Sequence, residues 1–374
     1  MILRFRTQMR LLAGLLLLIA AFAFAATAQT GIPPGSPQTH TYFIAAEEVN
    51  WNYMPRGRNL TGVPRTDPDE ATPSASTQIF LKAVYREYTD ASFQTVKPRP
   101  PEWEHLGILG PLIRAEVGDT IHVFFQNKTK LMCSLHPHGL AYDKRSEGAR
   151  YADGTAGADK EDDFVAPGKT YDYVWHVPEQ SGPSHGDASS VLWMYHSHFV
   201  EGKDINTGLM GPIVITARGT AKPDGTPKDV DREFVTAFEI FDESRSWYFD
   251  ANLARQKRPP PEGLKRSDPA FRQAYLVYAI NGLVEGNLPV LIMKKGERVR
   301  WYLFAGDNED DIHTPHWHGQ TVISNHMRMD TISLTPMSMM VADMIADNPG
   351  TWLFHCHVNE HFENGMQALF RVLP

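Results

Sequence analysis

Cysteine is nearly absent, with two in 374 residues, so no disulfide framework can hold the chain together. Long apolar runs are scarce as well. The one present, Leu11 to about Ala26, follows Arg4, Arg6 and Arg10 and precedes the small residues Ala26, Thr27 and Ala28. It falls short of the ~20 residues that a spanning helix needs and reads as a secretory leader over residues 1–28. The expected destination is therefore secreted or periplasmic, with no membrane contact once the leader is cleaved. Positive charge is in deficit: 36 Lys and Arg stand against 44 Asp and Glu, a formal charge of −8. That balance excludes nucleic acid as an expected partner. No long segment carries an amphipathic helical period, while 27 Pro and 28 Gly punctuate short elements. The fold class expected from these absences is all-β, with packed sandwiches as the architecture.

An internal repeat divides the chain. GPLIRAEVGDTIHVFFQN (110–127) leads to HPHG (136–139) and then LWMYHSH (192–198). LPVLIMKKGERVRWYLF (288–304) leads to HTPHWHG (313–319), and GTWLFHCH (350–357) follows. Each half runs strand, turn with Gly before an acid, strand, HxHG, and an aromatic strand ending in HxH. Thr120–Phe125 and Arg298–Phe304 have the β-branched and aromatic make-up of half-buried strands. The expected domains are 29–216 and 233–374, joined by a polar, Pro- and Gly-bearing linker at 217–232. Residues 251–269, with three successive prolines, read as a surface loop.

The histidines are the conspicuous excess. Ten of 16 fall in four clusters: His136 and His138; His196 and His198; His313, His316 and His318; His355, His357 and His361. On a strand, residues i and i+2 share a face about 6.5 Å apart, so each HxH sends two imidazoles into one space. Imidazole suits copper, zinc, iron and nickel. In HCHVNEHFENGM, Cys356 precedes His361 by five residues and Met366 follows five later. A His2Cys set with a long axial Met is the blue-copper arrangement, and His313 is the candidate second histidine because its offset frees it from the HxH face. Strand alternation points Cys356 to one face and His355 and His357 to the other. The eight remaining histidines, four from each half, are enough to ligate three copper ions with positions left open, whereas one closed structural metal needs about four ligands.

At these residues, and over longer stretches such as YFIAAEEVNWNY (42–53), EHLGILGPLIRAEVGDTI (104–121) and YHSHFVEGKDINTGLMGPI (195–213), the chain resembles the multicopper oxidases, and within them the ceruloplasmin-like members. The resemblance covers Thr41 to the C-terminus. It implies two cupredoxin Greek-key sandwiches and four coppers per functional unit. A type 1 copper on His313, Cys356, His361 and Met366 accepts electrons from a phenolic, other organic or metal-ion reductant. A trinuclear cluster reduces dioxygen to water, its type 2 ion on His136 and His316 and its type 3 pair on His138, His196, His198, His318, His355 and His357. Electrons would leave Cys356 through His355 and His357. The two-domain length resembles the short laccase-type oxidases, whose trimers rebuild a six-module ring, so the expected assembly is a homotrimer with clusters between chains.

Aligning the halves sets Ser197 opposite Cys356 and Cys133 opposite His313, so the first half has no type 1 site and Cys133 reads as a small buried filler. Copper nitrite reductase, a two-domain relative with its blue copper in the first domain, is the alternative enzyme. A non-catalytic copper-binding or interaction module is the alternative of another class. Asp153 in YADG resembles an acidic proton-delivery residue of laccase-like members, or else is a turn Asp before Gly154. Glu360 matches an acidic position of the ferroxidase site, but Gln273 and Tyr278 stand where such members carry Glu and His. Asp162 and Asp163 resemble a calcium-binding segment. Six methionines between Met327 and Met344 offer thioethers that prefer Cu(I), although the alternation of Met337, Met339 and Val341 fits core filling.

Overall fold

Apolar residues alternate with polar ones in the first half of the chain, and that pattern folds as two facing mixed sheets. The computed structural model describes residues 36–64, 79–256, 263–306 and 312–374; the leader reading at 1–28 lies outside the described residues. β1 (Thr39–Asn52), β2 (Ile79–Tyr88), β4 (Thr120–Asn127) and β6 (Thr170–His176) form one sheet in the order β2-β1-β4-β6. Facing it are β3 (Ile113–Glu116), β5 (His136–Pro137), β7 (Ser190–His196) and β8 (Met210–Thr216), ordered β3-β8-β7-β5. On β4, Ile121, Val123 and Phe125 are fully buried and their neighbours half-exposed, as a strand with one wet face requires. They pack with Ile113, Tyr195 and Ile213 of the opposite sheet.

The second half repeats the plan. β9 (Arg232–Asp242), β10 (Leu276–Ile280), β12 (Arg298–Ala305), β14 (Val322–Ser324), β15 (Met327–Met329) and β16 (Met339–Ile345) form a sheet ordered β10-β9-β12-β16-β14-β15. The sheet facing it holds β11 (Leu291–Lys294), β13 (Pro315–Trp317), β17 (Gly350–Cys356) and β18 (Gln367–Leu373), ordered β11-β18-β17-β13. In both halves the first long strand pairs parallel to a later one, β1 with β4 and β9 with β12. Strand pairing stays within residues 39–216 and within residues 232–373.

β12 departs from the half-buried expectation, since all of Val299–Ala305 is buried. The reason is a second neighbour. Val299, Trp301 and Leu303 face the core of their own sandwich, whereas Tyr302 and Phe304 join Leu192, Met194 and Val214 of the first half in a core shared by the two sandwiches. Burying Phe304 there contributes about 1.5–3 kcal/mol. A buried ion pair crosses the same junction: Lys82 Nζ lies 2.5 Å from Glu243 Oε1, with both side chains at 0% exposure. Removing one partner of such a pair costs about 3–5 kcal/mol. Residues Pro37–Pro374 accordingly form one compact unit.

Among the described residues helices are few and short. α1 is Glu201–Thr207, α2 Phe249–Gln256, α3 Pro269–Gln273 and α4 Asn359–Glu363. The loop expected at 251–269 is thus entered through α2, which Phe249, Phe271 and Tyr275 anchor in a small aromatic cluster. Among the described residues no helix is long and apolar enough to cross a membrane.

Candidate metal centre

Cys356 ends β17 and is fully buried. His361 reaches it from α4, with Nδ1 at 3.3 Å from Sγ, and His313 from the segment before β13, with Nδ1 at 4.0 Å. Their ligand atoms lie within 4.8 Å of one another. Met366 is buried at 0% exposure and fixed by its backbone, which donates to His361 O at 3.0 Å and accepts from Cys356 N at 3.1 Å. Thr314 N donates to Sγ at 3.3 Å. Burial opposes ionisation of the thiol, but the hydrogen bonds from His313, His361 and Thr314 outweigh it and bring Cys356 down to about 6. A thiolate flanked by two imidazoles is the donor set that copper favours.

On the other face of β17 lie His355 and His357, joined from β13 by His316 and from the following turn by His318. The first half assembles His136, His138, His196 and His198 from β5, β7 and the residues after them. Ring contacts run over the same pairs in each set. His136 meets His138, His196 and His198 at 5.5, 5.6 and 5.1 Å, and His316 meets His318, His355 and His357 at 4.9, 5.3 and 5.2 Å. The tightest approaches also match: His138 Nε2 to His196 Nε2 is 2.9 Å and His318 Nε2 to His355 Nε2 is 3.0 Å.

Backbone carbonyls choose which nitrogen faces inward. Nδ1 of His136, His196, His316 and His355 donates to the carbonyls of Glu147, Ser197, Asp330 and Cys356 at 2.6, 3.0, 2.9 and 2.7 Å. That leaves Nε2 as the free lone pair, the orientation that ligating histidines need. Burial lowers the imidazole values, reinforced by the neighbouring rings, to about 4 for His138 and His355 and well below the usual range for His196. Neutral imidazole is the metal-binding form, so the residues present fit copper. Each set also has an open side, since His318 and His357 are exposed and His136, His138 and His198 half-exposed. The two sets group separately within the chain.

The glycine of each HxHG has a steric cause. Gly139 and Gly319 adopt φ of 70° and 65°, and a Cβ would come within 2.1 Å of Trp193 and 2.8 Å of Trp352. Each tryptophan sits three residues before the HxH of its strand and closes over the turn carrying the other histidine pair.

The remaining candidates sit apart. Asp153 forms ion pairs with Lys160 at 2.7 Å and Lys144 at 3.3 Å, and these bonds hold its carboxyl far below the usual range. It connects to the histidines through Lys144 and Glu147, whose backbone carbonyl holds His136. Glu360 is exposed next to His361 and accepts from Tyr278 at 2.9 Å and Gln273 at 3.1 Å; the Tyr278 ring packs 5.5 Å from His361. Asp162 Oδ2 accepts from Gly148 N at 2.7 Å, while its Oδ1 has no partner among the described residues. Asp163 lies 3.6 Å from Lys160. Cys133 is buried, and burial raises its thiol well above the ordinary value. Met337, Met339 and Val341 pack against the shared core.

Two groups escaped the sequence reading. Glu201 stands 3.4 Å from His198 Nε2 and 3.6 Å from His196 Nε2. Asp204, fully buried, occupies the place that His361 holds in the second half. An HxH-to-HxH alignment could have found it, but the spacing to the central residue is seven in one half and five in the other.

Models of the multicopper oxidase family match residues 106–220 and 257–374. Ferroxidase HEPHL1 of Mus musculus is 43% identical over 342 residues, covering 89% of this chain and 29% of that protein. Human ceruloplasmin is 39% identical over 344 residues, covering 88% and 32%. The chain thus spans about a third of the length of these relatives. Among solved structures, Multicopper Oxidase mgLAC aligns with a TM-score of 0.57 at 18% identity, covering 90% of this chain and 86% of its own, and the Blue Copper Oxidase from Nitrosomonas europaea with 0.55 at 17%, covering 90% and 86%. These two likenesses carry the fold, two cupredoxin-like sandwiches. Taken with the ligand geometry, the family models and relatives make this chain a ceruloplasmin-like member of the multicopper oxidase family.

Proposed function

We propose that the protein is an oxidase that couples four one-electron oxidations of a reductant to reduction of dioxygen to water. The observation that carries this is Cys356 itself, held between two imidazoles on one face of β17 while its sequence neighbours His355 and His357 join the cluster on the other. Copper, when bound, supplies one-electron acceptance at the thiolate and oxygen reduction at a three-ion centre. The residues do the rest. His313, His361 and Met366 hold the first ion against Cys356; His136 and His316 hold a type 2 ion; His138, His196, His198, His318, His355 and His357 hold the type 3 pair. The covalent path from Cys356 to its two neighbours is the electron route.

Each histidine set is half of that three-ion site, open on one side and separate from the other set. We infer a homotrimer in which the first sandwich of one chain meets the second sandwich of the next, since head-to-tail contacts close a ring. We also place in this reading a secreted or periplasmic protein, a division into domains 29–216 and 233–374, and a proton supply running from Asp153 through Lys144 and Glu147 toward His136. The orphaned Asp162 Oδ1 beside Asp163 supports a calcium ion, with Lys160 as its competitor.

The reductant enters beside His361. Glu360 there is already engaged by a phenol and an amide, Tyr278 and Gln273, so the patch favours phenolic or other organic donors over Fe(II). Mixing chains tests the whole reading. A His196→Ala chain and a His355→Ala chain, each inactive alone, regain about a quarter of the oxygen uptake when refolded together, because random assembly pairs intact halves at that fraction of interfaces. Mixed chains that stay inactive, beside an active wild type that sediments as a monomer, would sink the inter-chain site. Assaying the wild type with phenols, Fe(II) and Cu(I) ranks the reductants, and an order led by Fe(II) overturns the substrate assignment.

A further inference from the structure

The first sandwich lacks a type 1 donor set, yet it reproduces four hydrogen bonds of the type 1 framework. Cys356 N donates to Met366 O, and Ser197 N donates to Leu209 O, both at 3.1 Å. Met366 N donates to His361 O at 3.0 Å, and Leu209 N to Asp204 O at 3.1 Å. Thr314 N meets Cys356 Sγ at 3.3 Å, and Ser134 N meets Ser197 Oγ at 3.0 Å. His357 N donates to Thr314 Oγ1 at 3.1 Å, and His198 N to Ser134 Oγ at 3.0 Å. Ser197, Asp204, Leu209 and Cys133 therefore stand at the positions of Cys356, His361, Met366 and His313.

What fills that position is a hydrogen-bonded lock. Ser197 Oγ donates to Asp204 Oδ2 at 2.7 Å, and Val200 N donates to the same oxygen at 2.9 Å. Trp247 Nε1 donates to Oδ1 at 2.7 Å. Ser197 and Asp204 are both at 0% exposure, so no water competes for these bonds and losing one leaves a buried polar atom unpaired. Ser197 lies directly between His196 and His198, and Ser134 ties the lock to the backbone of His198. Trp247 comes from the segment after β9, beyond the boundary between the two sandwiches, so the second half closes a lock in the first.

We propose that Asp204, acting through Ser197, is the positioning residue for His196 and His198, doing by hydrogen bonds what the Cys356 donor set does for His355 and His357, with Trp247 setting its carboxylate. The inference rests on the reading of His196 and His198 as copper ligands. It assigns the blank position a task, which a vestigial site or a simple core filler would not have. Groups that orient ligating histidines carry about 10–100-fold in metal affinity or activity.

The test uses full-length chains carrying Asp204→Asn, Ser197→Ala or Trp247→Phe, loaded with copper. Measured quantities are copper per chain, the blue absorbance, the type 2 electron paramagnetic resonance signal and the thermal midpoint. The expected result is an unchanged blue absorbance, because that site lies in the other sandwich, with copper at the three-ion site bound about 10–100-fold more weakly and an altered type 2 signal. Ser197→Thr, which keeps the hydroxyl, restores both. Full copper content with a wild-type type 2 signal in folded Asp204→Asn and Ser197→Ala overturns the proposal. Should Asp204→Asn fail to fold, Trp247→Phe decides by the same two outcomes, since it removes one donor from a half-buried ring. A wild type that binds one copper per chain would instead defeat the oxidase reading on which the inference stands, and that result is separate because it appears before any substitution.

Discussion

The two sandwiches share a backbone plan, a pair of HxH histidine sets and a glycine under a tryptophan, yet only the second has a thiolate. At the central strand position Cys356 faces His313, His361 and Met366; Ser197, its counterpart, faces Cys133, Asp204 and Leu209. The difference teaches that the histidine constellation does not require a thiolate behind it, because in each half two of the imidazoles are oriented by matching backbone carbonyl bonds. What differs is the group that braces the strand between the two imidazoles: a thiolate donor set in one half and a buried carboxylate lock in the other.

Exchanging the central residues breaks the comparison most severely. Cys356→Ser is expected to abolish the blue absorbance and reduce reductant oxidation to background, with the histidine sets still binding copper, as read by absorbance, metal content and oxygen uptake. Ser197→Cys is expected to create no second blue site, because a thiolate there lacks both histidines and the methionine. A second blue centre would mean that the first half retains more of the donor set than Cys133, Asp204 and Leu209 provide.

The two thiols sharpen it next. In the metal-free protein Cys356 is brought down to about 6 and Cys133 is pushed up. The sign follows from linkage. The stability contributed by the Cys356 thiolate is complete above the unfolded thiol value of about 8.5 and is lost as the pH falls through about 6. Thiolate absorbance of the metal-free protein should therefore titrate near pH 6, vanish in Cys356→Ser and persist in Cys133→Ser. A midpoint near that unfolded value in the wild type would contradict the hydrogen-bonded thiol.

The smallest effects belong to the turns. Gly139→Ala and Gly319→Ala each force a Cβ against a tryptophan at positive φ, a cost of about 1–3 kcal/mol. Gly139 should lose more, since its Cβ would approach to 2.1 Å rather than 2.8 Å, while both tryptophans are tied through their indole N–H, Trp193 to Ser181 O at 2.7 Å and Trp352 to Asn348 O at 3.0 Å. Denaturant midpoints measure the difference; equal midpoints would mean that Trp193 yields as readily as Trp352.

Much of the site was legible because metal ligation requires particular side chains at short spacings, and HPHG, HSH, HWHG and HCH display them in the chain order. The placement of His313 beside Cys356 could be inferred from its three-residue offset from His316, and the alternation across β17 from strand geometry alone. Less accessible was anything set by neighbours distant in sequence. β12 reads as half-buried yet is buried on both faces, because the first sandwich lies against it. Residues 251–269 read as loop, yet α2 forms where Phe249 finds Phe271 and Tyr275. Asp204 was hidden by a two-residue difference in the helix that follows each HxH.

The donor types, their pairing along strands and the serine that stands at the centre of the HxH in the first half were determined by the sequence itself, since ligand chemistry is local and a strand carries it at fixed intervals. Tertiary structure alone decided that Nε2 rather than Nδ1 faces inward, that the Cys356 thiol ionises readily, and that a tryptophan beyond the domain boundary holds Asp204. Each of these depends on a hydrogen bond or a burial whose partner is brought near only when the sheets pack.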